Sequence, residues 1–195
     1  MIKTKEDLKY YIEQDRLNLH IDHSKPLWND EVWKYEIILR KHEYYHNKEK
    51  KNLIDKLLLR HYNRKHHKLS MKYTTSVPIN VCGPGLSIAH FGALYINGKA
   101  QIGKNLRIQS GVTIGGSYST PGKFPILGDN VYIGTGAKIL GGVTISDDVA
   151  IGANAVVVKD ILEPKTSHAG VPSHKTSNHS SAPYIDKRVR NEKNA

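Results

Sequence analysis

Apolar residues that recur every six positions constrain the fold of this chain more than any other feature. Two blocks keep the period, with Ile96, Ile102, Ile108 and Ile114 in the first and Leu127, Ile133, Ile139, Ile145, Ile151 and Val157 in the second. A period of six fits neither an α-helix, which repeats about every 3.6 residues, nor one strand with alternating faces. It predicts a solenoid of short strands and turns with the apolar column inside.

The two blocks are out of phase by one residue, because Ile114 and Leu127 are 13 positions apart. The segment between them, residues 116–125, contains two glycines and two prolines. Both residue types interrupt regular structure. We therefore expect this segment to leave the solenoid as a loop.

The first 75 residues form a different region, since they contain no glycine and carry apolar residues at helical spacing. Thr4 and Asp7 have the spacing of a capping box and predict the start of a first helix. Two further helices are expected, with bounds at Asn29 or Asp30 to about His46 and at Asn52 to about Lys68. Residues 1–75 are thus predicted to be an α-helical N-terminal region.

The chain carries a net charge of +11, and its third predicted helix is basic and amphipathic. Such a helix can dock on an anionic membrane or on nucleic acid, or it can present a solvated face whose late cations suit the helix dipole. Trp28, Trp33 and Tyr35 are expected in helix packing rather than in base stacking, so no nucleic-acid partner is predicted. Peripheral membrane contact through residues 52–68 stays open.

Other features exclude whole classes of protein. The single cysteine, Cys82, excludes an intramolecular disulfide framework, and no segment reads as a membrane span or a signal peptide. We therefore expect a cytoplasmic location. His42 and His46 have the i, i+4 spacing of metal ligands, but no Glu-bearing zinc-enzyme pattern accompanies them, so no metal is predicted.

Five segments of the glycine-rich part carry a family resemblance. They are residues 85–92 (GLSIAHFG), 109–116 (QSGVTIGG), 133–141 (IGTGAKILG), 151–157 (IGANAVV) and 169–172 (AGVP). In these motifs the chain resembles the hexapeptide-repeat acyltransferases, and most of all the serine acetyltransferases. The resemblance implies a left-handed parallel β-helix over residues 76–175. The excess of basic residues near the end of the sequence predicts a basic C-terminal tail over residues 176–195. It also implies a homotrimer that binds acetyl-CoA in the groove between neighbouring subunits.

Acetyl transfer to a hydroxyl needs a base, and histidine suits that role near pH 7. His90 is the only histidine between residues 68 and 167, and the resemblance places it where the family carries its catalytic histidine. Counting six residues back from Ile96 also gives His90, so a strict repeat would point it into the core. Glycine and proline at residues 83–85 and at Gly92 indicate an irregular first coil and favour the base.

The resemblance also assigns ligand-binding residues. It implies that Gly115 and Gly116 lie near the thioester, where a backbone N–H can stabilise the oxyanion; the alternative is that they are simple turn glycines. It further implies that Thr135 and Ala153 bind the pantetheine arm. The residues implied at the adenosine end are Lys159, Gly170 and, for the 3′-phosphate, Lys175.

Two departures from the serine enzymes concern the acceptor. Ala89 stands where those enzymes carry Asp, and Lys123-Phe124 stands where they carry Arg-His. A zwitterionic acceptor would lose charged partners there, so we expect O-acetylation of a saccharide in surface or capsular polysaccharide biosynthesis. The alternatives are a serine O-acetyltransferase of cysteine biosynthesis and a non-catalytic trimeric binding module.

Overall fold

The computed structural model describes residues 1–190, in which three helices precede a coil of short strands. The helices are α1 (Lys5–Asn18), α2 (Glu31–Asn47) and α3 (Leu53–Tyr73). The three helices predicted for the N-terminal region are therefore present. None of the helices described here is long and apolar enough to cross a membrane.

Side-chain caps fix the starts of two helices. Thr4 and Asp7 form the predicted capping box of α1, and Asn52 forms a second one with Asp55 at α3. Asp30 precedes α2 but does not cap it, because its carboxylate accepts hydrogen bonds from the Leu27 amide and the His23 ring instead.

The third helix ends later than the sequence predicts, at Tyr73 rather than about Lys68. Leu69 and Tyr73 in the added turns pack against the core. The Ser70 hydroxyl lies 3.2 Å from the Tyr35 hydroxyl of α2. Tertiary packing therefore extends the helix beyond its basic run.

Fourteen short strands follow the helices and form three sheets, here called faces A, B and C. Face A holds β1 (Thr75–Ser76), β3 (Leu94–Ile96), β6 (Thr113–Gly115), β9 (Lys138–Leu140) and β12 (Val156–Val157). Face B holds β4 (Gln101–Ile102), β7 (Ile126–Leu127) and β10 (Thr144–Ile145). Face C holds β2 (Ser87–Ile88), β5 (Arg107–Ile108), β8 (Tyr132–Ile133), β11 (Ala150–Ile151), β13 (Ser167–Ala169) and β14 (His174–Ser177).

The register of these strands shows a coil with three strands per turn. Ile133 pairs with Ile151 and Ile139 with Val157, each 18 residues on. All pairings are parallel except that of β13 with β14. All ten residues of the six-residue period are buried, with exposed fractions of 7% or less. The predicted inward column is confirmed, and residues 116–125 form the predicted loop between β6 and β7.

The helices cap the first coil through a buried charged cluster. The Arg40 guanidinium of α2 donates to Asp15 of α1 at 2.7 Å and to the carbonyl oxygens of Cys82 and Gly83 at 2.9 and 2.7 Å. Asp15 in turn accepts from the backbone N–H of Leu86. Removing one partner from such a buried pair costs several kcal/mol, so this cluster fixes the helices on the coil.

The C-terminal segment, predicted as a basic tail, packs back on the coil as far as it is described. Tyr184 stacks on Tyr132 with ring centroids 3.9 Å apart, and Val189 is buried. Arg188 forms ion pairs with Asp186 and with Asp22 beyond α1. Residues 191–195 of the predicted tail lie outside the described residues.

Candidate functional site

His90 lies in the corner between faces C and A, and its side chain is exposed. Ile88 pairs with Ile108 and Ile96 pairs with Ile114, so eight positions in the first coil correspond to six in the next. The two extra residues widen the corner, so counting back from Ile96 does not lead to an inward position. The interpretation of His90 as a core residue is therefore wrong.

Aromatic packing holds this corner in place. Phe91 stacks on Tyr73 with centroids 4.0 Å apart and meets the Tyr35 ring edge-on at 5.7 Å. On the other side, the Ala89 amide donates to the Ile108 carbonyl at 2.9 Å. Both neighbours of His90 are thus anchored, and its imidazole has no hydrogen-bond partner among residues 1–190.

The same corner recurs in each successive coil and forms an edge that we call the corner edge. Gly111 donates to Gly92, Gly136 to Ser110 and Asn154 to Thr135, so the corners of four coils are joined in sequence. Thr135 and Ala153 lie exposed on this edge, and Gly170 continues it by accepting from Val156. At about 4.8 Å per coil, His90 and Ala153 are separated by roughly 15 Å along the edge. An extended ligand could lie along this line of small side chains.

A second group of predicted residues lies on the edge between faces A and B, which we call the loop edge. Gly116, Lys123 and Phe124 line a cavity of about 530 Å³ in the loop of residues 116–125. A Cβ atom at Gly116 would lie 3.2 Å from the Phe124 ring, so glycine permits this close approach. Lys159 lines a neighbouring cavity on the same edge. Face A separates the loop edge from the corner edge.

Gly115 is not a turn residue. It is the last residue of β6, it pairs with Leu140 of β9, and it is buried. A Cβ atom there would meet only ordinary contacts at 3.9 Å. The turn interpretation is wrong for Gly115, whereas Gly116 does begin the loop.

Lys175 already has an acidic partner. Its ammonium lies 2.6 Å from the Glu163 carboxylate, and both side chains are partly exposed. A phosphate at this position would have to compete with Glu163. An exposed ion pair of this kind is weak, at about 0–1 kcal/mol, so the competition is open to a doubly charged ligand.

Sequence reasoning missed a cavity beside His90. It has a volume of about 440 Å³, and Ala89 and Phe91, the two neighbours of His90, line it. The opposite wall comes from the connection between α1 and α2 and the start of α2, with Trp28, Asn29, Asp30, Glu31 and Trp33 among its residues. The run of Trp and acidic residues before α2 is the signal that could have indicated it.

The polar side chains of this cavity are two carboxylates, the Asn29 amide and two indole N–H groups. Burial opposes ionisation of Asp30, but hydrogen bonds from Leu27 and His23 outweigh it and lower the pKa of this carboxyl. The Trp33 indole N–H is buried and has no partner among the described residues. Trp28 is 88% exposed. No lysine, arginine or histidine is among the described residues that line the cavity.

Comparison with known proteins places this geometry in a class. The bacterial transferase hexapeptide model, which comprises six repeats, matches residues 124–159. Over this part of the three-sided coil, the chain is therefore similar to hexapeptide-repeat transferases. It is also serine acetyltransferase-like over about half of its length.

Two curated relatives carry this likeness, and one solved structure shares the fold. The serine acetyltransferase of Mycobacterium tuberculosis is 45% identical over 96 residues, which is 49% of this chain and 42% of the relative. That of Helicobacter pylori is 46% identical over 86 residues, 44% of this chain and 50% of the relative. The Brucella abortus serine acetyltransferase in complex with coenzyme A aligns with a TM-score of 0.69 at 24% identity, covering 90% of this chain and 70% of that one. The chain thus spans half or less of the curated relatives it matches.

Proposed function

We propose that this protein is an acetyl-CoA-dependent O-acetyltransferase in which His90 is the general base. The observation that carries the proposal is the exposed position of His90 at the head of the corner edge. Thr135, Ala153 and Gly170 continue this edge and leave room for an extended thioester arm. The Brucella abortus neighbour, whose fold the chain shares, was solved with coenzyme A.

The chemistry follows from the role of His90. Its imidazole takes the proton of the acceptor hydroxyl as the oxygen attacks the thioester carbonyl carbon. The tetrahedral oxyanion then collapses, the carbon–sulfur bond breaks, and the proton on His90 passes to the leaving thiolate. The proposed donor to the oxyanion is the Gly116 amide on the loop edge of a neighbouring subunit.

The comparisons favour L-serine as the acceptor, because the curated relatives are serine acetyltransferases. They give no support to the polysaccharide role expected from the sequence. L-serine is therefore the first candidate. It requires a cation for its carboxylate, since a buried unpaired carboxylate is strongly unfavourable.

A saccharide hydroxyl is the second candidate, and the cavity beside His90 favours it. Two indole rings and the oxygens of Asn29, Asp30 and Glu31 suit a neutral polyol. The lining residues described above include no cation for the serine carboxylate.

The split between the two edges supports an assembly. Lys123 and Phe124 lie on the loop edge, across face A from His90, so one protomer does not bring them together. We propose that the coil is left-handed and assembles as a homotrimer in which the loop edge of a neighbour completes the site. Lys123 would then supply the cation that the cavity beside His90 lacks.

The test is thiol release from acetyl-CoA with L-serine and with a panel of sugars and oligosaccharides. The wild type should release thiol only with an acceptor, and His90→Ala should lower turnover by about 10²–10⁴ while coenzyme A binding persists. The matched control is His179→Ala, another exposed histidine, which should keep full turnover.

The outcomes separate the candidates. Turnover with L-serine alone establishes the first acceptor, and turnover with a sugar alone establishes the second. Absence of both turnover and coenzyme A binding would contradict the proposal and leave a non-catalytic binding module. Wild-type turnover in His90→Ala would contradict the assignment of the base.

A further inference from the structure

The outward face of α3 combines exposed apolar side chains with exposed cations. The helix turns Asp55 and His66 towards α2, where both are buried. On the other side, Leu53, Ile54, Leu57 and Met71 are exposed by 74%, 66%, 57% and 70%. Exposed apolar side chains that lie together, as Leu53, Ile54 and Leu57 do, are typical of an interaction surface.

Cations fill the centre of the same face. At about 100° per residue, the side chains of Leu53, Leu57, Arg60, Arg64, Lys68 and Met71 fall within a sector of about 80°. Lys56, Lys65 and Lys72 border this sector, and all of these cations are exposed. We call the six cations and the four apolar residues together the outer face of α3.

No acidic residue offsets this charge within the helix. The single acid of α3, Asp55, lies on the buried side and is paired with Lys48. None of the six cations forms an ion pair with another residue in the range 1–190. The face therefore presents net positive charge to a partner.

The apolar residues decide which anionic partner fits. A single-stranded nucleic acid would need cations and stacking aromatic rings, whereas Tyr62 and Tyr73 of α3 are half-buried against the protein. A solvated face would need no exposed leucines. Lys and Arg interleaved with Leu, Ile and Met are typical of a helix that lies flat in a bilayer interface.

We propose that the outer face of α3 docks on an anionic lipid bilayer, with the helix axis parallel to the surface. Leu53, Ile54 and Leu57 enter the headgroup boundary near one end of the helix, and Met71 enters near the other. The cations between them bind anionic headgroups. This inference does not depend on the proposed acetyltransferase activity.

The test is flotation of the full-length chain with vesicles at low salt. It should float with phosphatidylcholine vesicles that contain phosphatidylglycerol, remain behind with phosphatidylcholine alone, and detach as salt rises. Arg60→Gln/Arg64→Gln/Lys68→Gln should weaken partitioning on the order of 100-fold. Leu53→Ser/Leu57→Ser/Met71→Ser, which keeps the charge, should weaken it by about tenfold or more.

A matched variant controls for charge alone. Lys5→Gln/Lys9→Gln/Lys104→Gln removes three exposed cations elsewhere and should float like the wild type. Circular dichroism and sedimentation of each variant establish that fold and oligomeric mass are unchanged.

Several results would overturn the proposal. One is that the protein does not float with vesicles that contain phosphatidylglycerol. Another is that Lys5→Gln/Lys9→Gln/Lys104→Gln loses as much vesicle binding as Arg60→Gln/Arg64→Gln/Lys68→Gln. A third is that the protein binds an oligonucleotide but not vesicles. A change of oligomeric mass in the serine variant would show that the face is an interface between copies of the chain.

Discussion

At the scale of single residues, two buried titratable groups make the stability of the helical cap depend on pH. Burial, followed by the neighbouring His42, lowers the pKa of His66 to about 4. Burial, followed by the negative charge of Asp15, raises the pKa of Glu36 well above its usual value. Glu36 accepts from the Ile88 amide with one oxygen, and its other oxygen has no partner among the described residues. The two groups therefore make the stability of the fold depend on pH in opposite directions.

His66 should destabilise the fold in acid. Because its folded-state pKa lies below the ordinary 6.5, its contribution is fully present above pH 6.5 and is lost as the pH falls towards 4. When the pH falls from 7.5 to 5.0, the free energy of unfolding of the wild type should decrease by roughly 2 kcal/mol more than that of His66→Asn. Urea unfolding at the two pH values measures this, and equal losses in both proteins would contradict it.

Glu36 should show the reverse dependence. Because its folded-state pKa is raised, the stability contributed by the protonated carboxyl is fully present below pH 4.5 and is lost as the pH rises through the folded-state value. From pH 5 to 8 the free energy of unfolding of Glu36→Gln should therefore rise relative to that of the wild type, by up to about 1.4 kcal/mol per pH unit. A difference in unfolding free energy that stays constant over this range would show that Glu36 is not held neutral.

At the scale of elements, the close stacking of coils limits side-chain size at the edges. A Cβ atom at Gly103 would lie 2.7 Å from the Gly128 carbonyl oxygen of the next coil. Backbone at that distance cannot move aside without opening the coil. Gly98 differs, since a Cβ there would meet only Pro78 at 3.7 Å.

Gly103→Ala should therefore destabilise the protein by about 1–3 kcal/mol, as overpacking does. Gly98→Ala is the matched control and should change stability by no more than about 0.5 kcal/mol. Thermal unfolding of the two variants beside the wild type measures both effects. Equal melting temperatures for Gly103→Ala and Gly98→Ala would be inconsistent with the stacking described here.

The sequence predicts some of these elements and not others, for physical reasons. The inward column was predictable because a slip of one position would expose every isoleucine in it. The end of α3 was not, because the burial of Leu69 and Tyr73 depends on tertiary packing. Counting six residues back from Ile96 places His90 in the core, which is wrong, because the two extra residues of the corner become apparent only from the strand pairing. The cavity beside it depends on how Trp28 and the α1–α2 connection lie over β2.

In the proposed trimer, one site is built from two copies of the chain. His90, Thr135 and Ala153 lie on the corner edge, and Lys123 and Phe124 lie on the loop edge across face A. A closed ring of three subunits would join each corner edge to a neighbour's loop edge.

Mixed oligomers of two inactive variants distinguish a site shared between subunits from a site within one subunit. His90→Ala retains its loop edge, and Lys123→Ala/Phe124→Ala retains its corner edge. Thiol release should be low for each variant alone. It should recover to about a quarter of the wild-type rate in an equal co-expressed mixture, because random assembly pairs an intact corner with an intact loop that often. No recovery above the two separate rates, or full activity of the loop variant alone, would contradict the shared site.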